Sequence, residues 1–139
     1  MRIKSKRKWG CLRMIRRVYV AGAITPYKSE HPVFGFLKNI SRGIRAAVEV
    51  VLAGFAPFCP FLDHQYWHHL RNGENITETM IKACSMAWLE VSEAVLVLPR
   101  YRKSQGTLDE IARAKELGIP VFYNLDALLD YCESEGEKK

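Results

Sequence analysis

Apolar positions along this chain fall into two alternating patterns, short continuous runs and longer stripes that repeat about every 3.6 residues. Residues 17–24 (with Val18-Tyr19-Val20-Ala21-Gly22 at their centre), 55–58, 94–98 and 119–122 are runs rich in Val, Ile, Leu and Phe, as in strands buried on both faces. Between them lie the stripes. Leu37, Ile40, Ile44, Ala47, Val48, Val51 and Leu52 predict a helix over 36–53 that Gly54 ends. Residues 76–89 predict a second helix, and Ile111, Ala114 and Leu117 a third that Gly118 closes. Residues 125–131 predict a short fourth. Strands alternating with helices mean a parallel sheet with right-handed crossovers and helices on both faces. The expected fold is a single α/β domain over residues 16–132, three-layer α/β/α and Rossmann-like (flavodoxin-like), with four or five parallel strands.

The connections are unequal. Residues 27–35 form a loop long enough to fold over a site, and residues 59–69 leave the sheet crowded with aromatic and polar groups. In such a sheet ligands sit just outside the carboxyl ends of the strands. Four clusters are expected on that edge: Gly22 with Thr25 and Tyr27; Asp63 with Tyr66 and Trp67; Ser104 to Glu110; and Asn124.

The third cluster carries the sharpest chemistry. Ser104, Gly106 and Thr107 offer two hydroxyls and unpaired amides at a helix start, a cradle for phosphate. Arg100, Arg102 and Lys103 add positive charge on the approach. Glu110 is expected in the first helical turn, where the helix dipole favours its ionised form. An ionised carboxylate beside a phosphate cradle can attack or stabilise the anomeric carbon of a nucleotide sugar. Thr107-Leu108-Asp109-Glu110 is equally a T-x-x-E capping box, in which Glu110 bonds back to the Thr107 amide and does no chemistry. The local pattern leaves both open.

Composition narrows the class. The chain has 139 residues, 48% of them hydrophobic and 26% charged, ordinary for one globular domain with a real core. No apolar run approaches the roughly 20 residues of a membrane span, and no secretory signal is visible, so the expected address is the cytoplasm. The net charge of +6 belongs to one end. Residues 1–17 hold eight Lys or Arg and no acid, whereas the rest carries 13 basic and 15 acidic residues. Residues 1–15 are expected to be a disordered basic leader rather than a nucleic-acid arm, with Met14 a candidate alternative start, and residues 133–139 a frayed charged tail. The cysteines (Cys11, Cys59, Cys84, Cys132) form no C-x-x-C pair, and buried reduced thiols are expected. His64 and His68 have helical ligand spacing without an evident third ligand, so neither a metal nor another cofactor is expected.

With Val18-Tyr19-Val20-Ala21-Gly22, Gly54-Phe55-Ala56-Pro57-Phe58-Cys59-Pro60, and above all Ser104-x5-Glu110 followed by Ala114 and Gly118-Ile119-Pro120-Val121, the chain resembles the nucleoside 2-deoxyribosyltransferase-like superfamily over most of residues 17–131. A looser likeness is to the lonely-guy type phosphoribohydrolases, whose glycine-rich loop also ends in G-T-x-x-E. The resemblance implies cleavage or transfer of the N-glycosidic bond of a nucleoside 5′-monophosphate. It implies Glu110 at the anomeric carbon and Ser104 at the 5′ end, where transferases of free nucleosides carry Asp. It also implies a homo-oligomer, at least a dimer. One departure stands out: the family's acidic residue before the third strand is absent from Cys84-Ser85-Met86-Ala87-Trp88, with no carboxylate until Glu90. Asp63 or Glu90 then takes the proton-donor role.

On this reading Glu110 and Asp63 are catalytic and Tyr19 holds Glu110. Ser104, Gly106, Thr107, Arg42 and Arg45 meet the phosphate, and Tyr27, Tyr66 or Trp67 stacks on the base. Gly22, Thr25 and Asn124 complete the lining. Two alternatives stay open: a non-catalytic nucleotide sensor on the same fold, and a deoxyribosyltransferase acting on free nucleosides.

Overall fold

The structure is a computed structural model that describes residues 15–137. The basic leader apart from its last residue, Met14 and Cys11 lie outside the described residues. Four strands, β1 (Arg17–Ala21), β2 (Ala56–Phe58), β3 (Ala94–Val97) and β4 (Val121–Phe122), form one parallel sheet in the order β2-β1-β3-β4. Four helices, α1 (Pro32–Leu52), α2 (Glu78–Glu90), α3 (Gln105–Glu116) and α4 (Leu125–Glu137), cover its two faces. This is the expected three-layer α/β/α Rossmann-like architecture, with four strands among the described residues.

Alternation along the strands sorts the core into two layers. Val18 and Val20 of β1, with Ala94 and Leu96 of β3, pack against Ile40, Ala47 and Val50 of α1 and Leu128 and Leu129 of α4. Tyr19 and Ala21, with Val95 and Val97, pack against Leu89 of α2 and Ile111 and Ala114 of α3. A polar group next to Tyr19 is therefore separated by the sheet from one beneath α1.

Several boundaries differ from the periodicity, most of all those of α1, β1 and α4. α1 begins at Pro32, four residues early, because the His31 ring accepts the Phe34 amide (3.3 Å) and Pro32 is preset for a first turn. Its opening residues Val33, Phe34 and Leu37 are exposed, so they do not fit an inward stripe. β1 ends at Ala21 rather than at residue 24. α4 runs to Glu137, so most of the expected frayed tail is helical. Residues 60–69 form 3₁₀ turns led by Pro60, and their Phe61 ring is buried against α1. The three described cysteines form no disulfide, and Cys84 is exposed rather than buried. Among the described residues no helix is long and apolar enough to cross a membrane.

Candidate functional site

Tyr19 stands in the middle of β1, opposite Phe58 of β2 and Val95 of β3 in register, and its ring is fully buried. Its hydroxyl emerges among side chains from three other segments: Asp63 after β2, Ser85 of α2 and Glu110 of α3. The Ser85 hydroxyl donates to Asp63 Oδ2 at 3.5 Å. The Tyr19 hydroxyl and Glu110 Oε2 are both buried, and neither closes a hydrogen bond of ordinary geometry, although each influences the other's titration. Buried polar groups are normally paired, and an unpaired pair in an apolar layer is costly.

That cost appears in the protonation equilibria. Burial pushes the Glu110 carboxyl up to about 7, against a partial opposing pull from the Tyr19 hydroxyl and a smaller push from Asp109. Burial also raises Asp63, opposed by the Ser85 hydroxyl. The Tyr19 phenol rises well above its ordinary range, first through burial and then through the Glu110 charge beside it. Burial thus shifts all three acids toward their neutral forms, and Glu110 is divided between its two forms near neutral pH. Glu110 lies in the second turn of α3, not the first, so the helix dipole does not govern it.

The capping pattern resolves differently from both sequence readings. Ser104 is the N-cap: its Oγ accepts the Thr107 amide (3.3 Å) and lies 2.8 Å from Thr107 Oγ1. Thr107 is buried and Glu110 makes no bond to its amide. The two hydroxyls expected to meet a phosphate therefore bond each other, which leaves the Gln105 and Gly106 amides at the helix start. The space around Gly106 is open.

Other expected residues sit elsewhere. Thr25, Tyr27, Arg42 and Arg45 line a cavity of about 560 Å3 on the α1 face, whose lining includes none of Tyr19, Asp63, Ser85, Ser104, Gly106, Thr107 and Glu110. Tyr27 carries the Arg100 guanidinium at 4.4 Å and the Lys103 ammonium at 4.9 Å from its ring centre, so cations occupy it rather than a base. Gly22 is there for packing: a Cβ would meet the Phe61 ring at 3.0 Å and Leu98 at 3.1 Å. Asn124 Oδ1 caps α4 by accepting the Ala127 amide (2.8 Å). Tyr66 is exposed, and the Trp67 indole donates to the Ile76 carbonyl (3.1 Å). Glu90, the alternative proton donor, pairs with Arg113 at 3.2 Å on the outer surface. His64 uses Nδ1 on the Phe61 carbonyl (2.7 Å), and among the described residues no three His, Cys, Asp or Glu side chains gather as a cation would need.

Sequence reasoning missed Ser85 and an aromatic ladder. Tyr19 stacks on Phe58 (5.5 Å) and Phe58 on Trp88 (5.6 Å), which carries the site's apolar wall from the core to the exposed Trp88 ring. No residue-type signal marked Ser85, which the structure buries one turn before Leu89; these two are the buried residues of α2.

Fold and site together define a Rossmann-like α/β protein with a buried acid–phenol cluster under the carboxyl edge of its sheet. Residues 16–123 match the family described as "Domain of unknown function (DUF4406)", and the chain belongs to that family. Comparison with the curated proteins gives no match.

Proposed function

We propose that the protein breaks the N-glycosidic bond of a nucleoside 5′-monophosphate, with Glu110 acting at the anomeric carbon. The observation that carries this reading is the Glu110 carboxyl itself, buried, without a hydrogen-bond partner at Oε2, and titrating near 7 beside Tyr19. A carboxylate oxygen that closes no bond of ordinary geometry is ready to form one with C1′. As Glu110 oxygen bonds C1′, the C1′–N bond breaks. Its electron pair goes to the base nitrogen, which takes the Asp63 proton. Water then attacks C1′, the ester to Glu110 opens, and the water's proton returns to Asp63. Burial shifts Asp63 toward its protonated form, the direction an acid needs, and the Ser85 hydroxyl that donates to Oδ2 orients it while opposing part of that shift. The Phe58–Trp88 wall offers a stacking surface for the base, and the Gln105 and Gly106 amides a place for the phosphate.

The resemblance stated from the sequence supports the same chemistry, together with a homo-oligomer and a cytoplasmic address; light scattering of the purified chain tests the assembly. A panel of ribo- and deoxyribonucleoside monophosphates, with free base followed by chromatography, tests the activity. Base should appear with at least one substrate and fall by at least ~100-fold in Glu110→Gln. Release unchanged in that variant, or absent with every substrate, overturns the assignment. One observation favours a second reading, a non-catalytic nucleotide-binding protein: the stretch Cys84-Ser85-Met86-Ala87-Trp88, where the resembling family places its acid, holds no carboxylate. Nucleotide binding without base release would select it, and base transfer between free nucleosides would select a transferase.

A further inference from the structure

We propose that the cavity on the α1 face is a second ligand site, separate from the Glu110 cluster, that takes the phosphate end of a small phosphorylated metabolite. It opens between Ala23, just past β1, and Leu98, just past β3. That is the point where the strand order reverses, the crevice in which doubly wound sheets seat ligands. Its volume of about 560 Å3 is that of a small-molecule pocket, and Ala46, Leu98 and Pro99 give it an apolar floor.

Its walls carry three arginines against two glutamates. α1 presents Asn39, Arg42, Arg45 and Glu49 at spacings that share one helix face. Asn39 is only 7% exposed; its Nδ2 donates to the Ile24 carbonyl (3.0 Å) and its Oδ1 accepts from Arg42 Nη1 (3.2 Å). A fixed, buried amide therefore aims the Arg42 guanidinium. Facing it is Arg100, the one non-glycine described residue at positive φ (69°), a conformation that a side chain other than glycine seldom adopts. Arg100 is held there by three ties: it pairs with Glu30, lies over the Tyr27 ring, and accepts the Tyr27 hydroxyl at its carbonyl (3.1 Å). Glu30 in turn accepts the Tyr27 amide (3.1 Å) and is held below the usual carboxylate range by Arg100. Strain of this kind persists where surrounding contacts over-determine it, and such residues cluster at ligand clamps.

Charge selects the ligand. Arg45 has Glu49 at 3.5 Å and Arg100 has Glu30, but Arg42 has no carboxylate within ion-pair distance among the described residues. Two forks occupied and one unmatched suit an anion that carries several oxygens, with the Thr25 and Ser41 hydroxyls at hand. A guanidinium engages phosphate oxygens two at a time, and phosphate has enough of them to engage Arg42 and compete for a neighbouring fork. The sheet stands between this site and Glu110, so the inference does not rest on the glycosidase reading.

Calorimetric titration of the full chain at low salt with inorganic phosphate, ribose 5-phosphate and adenosine 5′-monophosphate tests it. At least one probe should bind saturably, about tenfold more weakly in Arg42→Gln. The preferred probe tells whether the ligand is free phosphate, a sugar phosphate or a nucleotide. Should Arg42→Gln not fold, the Asn39 side-chain amide resonances of the unaltered chain must move on saturation with the same probe. No saturable binding of any probe overturns the proposal, as do motionless Asn39 resonances. Binding indifferent to Arg42→Gln also overturns it, since it would place the phosphate elsewhere, whatever the outcome of the base-release assay.

Discussion

The Tyr19 hydroxyl and Glu110 Oε2 are buried side by side between the sheet and the α2–α3 layer, and neither closes a hydrogen bond of ordinary geometry although each shifts the other's titration. The pair weakens the fold in a pH-dependent way. Glu110 has a folded pKa of about 7 against an ordinary 4.5, so above pH 4.5 the folded state binds more protons than the unfolded one. Stability therefore falls as pH rises from 4.5 to 7 and stays lower beyond, by on the order of 3 kcal/mol at most. Glu110→Gln removes this loss. Urea denaturation should find the variant close to the parent at pH 4 and more stable than it at pH 8. A variant less stable than the parent at pH 8 would mean that the carboxylate is satisfied in the fold.

The same carboxyl should set the acid limb of activity. If ionised Glu110 attacks the sugar, log kcat/KM for base release climbs with pH up to about 7 as the Glu110 carboxyl ionises. The Tyr19 hydroxyl partly lowers the Glu110 pKa, so Tyr19→Phe should move the limb to higher pH. A pH profile of that variant checks it. A limb that stays in place while the rate drops would make Tyr19 a substrate contact instead of a support for Glu110.

Ser104 separates a structural from a recognition role. As N-cap of α3 with its hydroxyl on the Thr107 amide, Ser104→Ala should cost about 1 kcal/mol in a denaturation curve. Ser104→Asp, also a good cap, should restore that stability. It should also weaken any phosphate held at the neighbouring Gln105 and Gly106 amides, because it adds a negative charge there. Ser104→Asp with full affinity for a nucleoside monophosphate would move the phosphate away from α3.

The alternation of β and α was legible because it depends on composition over windows longer than a turn. The stripe from Leu37 to Leu52 repeats at a helical period, although α1 buries Ile40, Ala46, Ala47 and Val50 and leaves Leu37, Val48, Val51 and Leu52 exposed, and the run Ala94-Val95-Leu96-Val97 is too short for a helix. Local chemistry decided less. Ser104-Gln105-Gly106-Thr107 and Thr107-Leu108-Asp109-Glu110 both read as helix starts, and the structure uses the former although it places Gly106 inside the helix. The His31 cap lies outside the usual set of Ser, Thr, Asp and Asn, so α1 looked shorter than it is. The juxtaposition of Tyr19, Asp63, Ser85 and Glu110 was half legible: strand ends place residues on one edge, but burial at Glu110 depends on how α2 lies against α3. Ser85 looked like any helical serine. The αL conformation of Arg100 left no trace in residue type, since nothing about arginine announces it.

Gly43 ties the α1 layer to the site. A Cβ there would come within 2.1 Å of the Phe61 ring, which is itself wholly buried. The ring cannot yield far, because its tip also lies close to Gly22, where a Cβ would meet it at 3.0 Å. Gly43→Ala should therefore destabilise the protein by about 1–3 kcal/mol, although alanine is otherwise the better helix former. Asp63 follows Phe61 by two residues, so a displaced ring also shifts the carboxyl away from Ser85. Base release should fall in Gly43→Ala even at temperatures where the variant is fully folded. Phe61→Leu, which frees space at Gly43, should recover part of the stability of Gly43→Ala when the two are combined. Thermal denaturation of the two single variants and the double variant measures that coupling, and additive losses would mean that the contact does not constrain the helix.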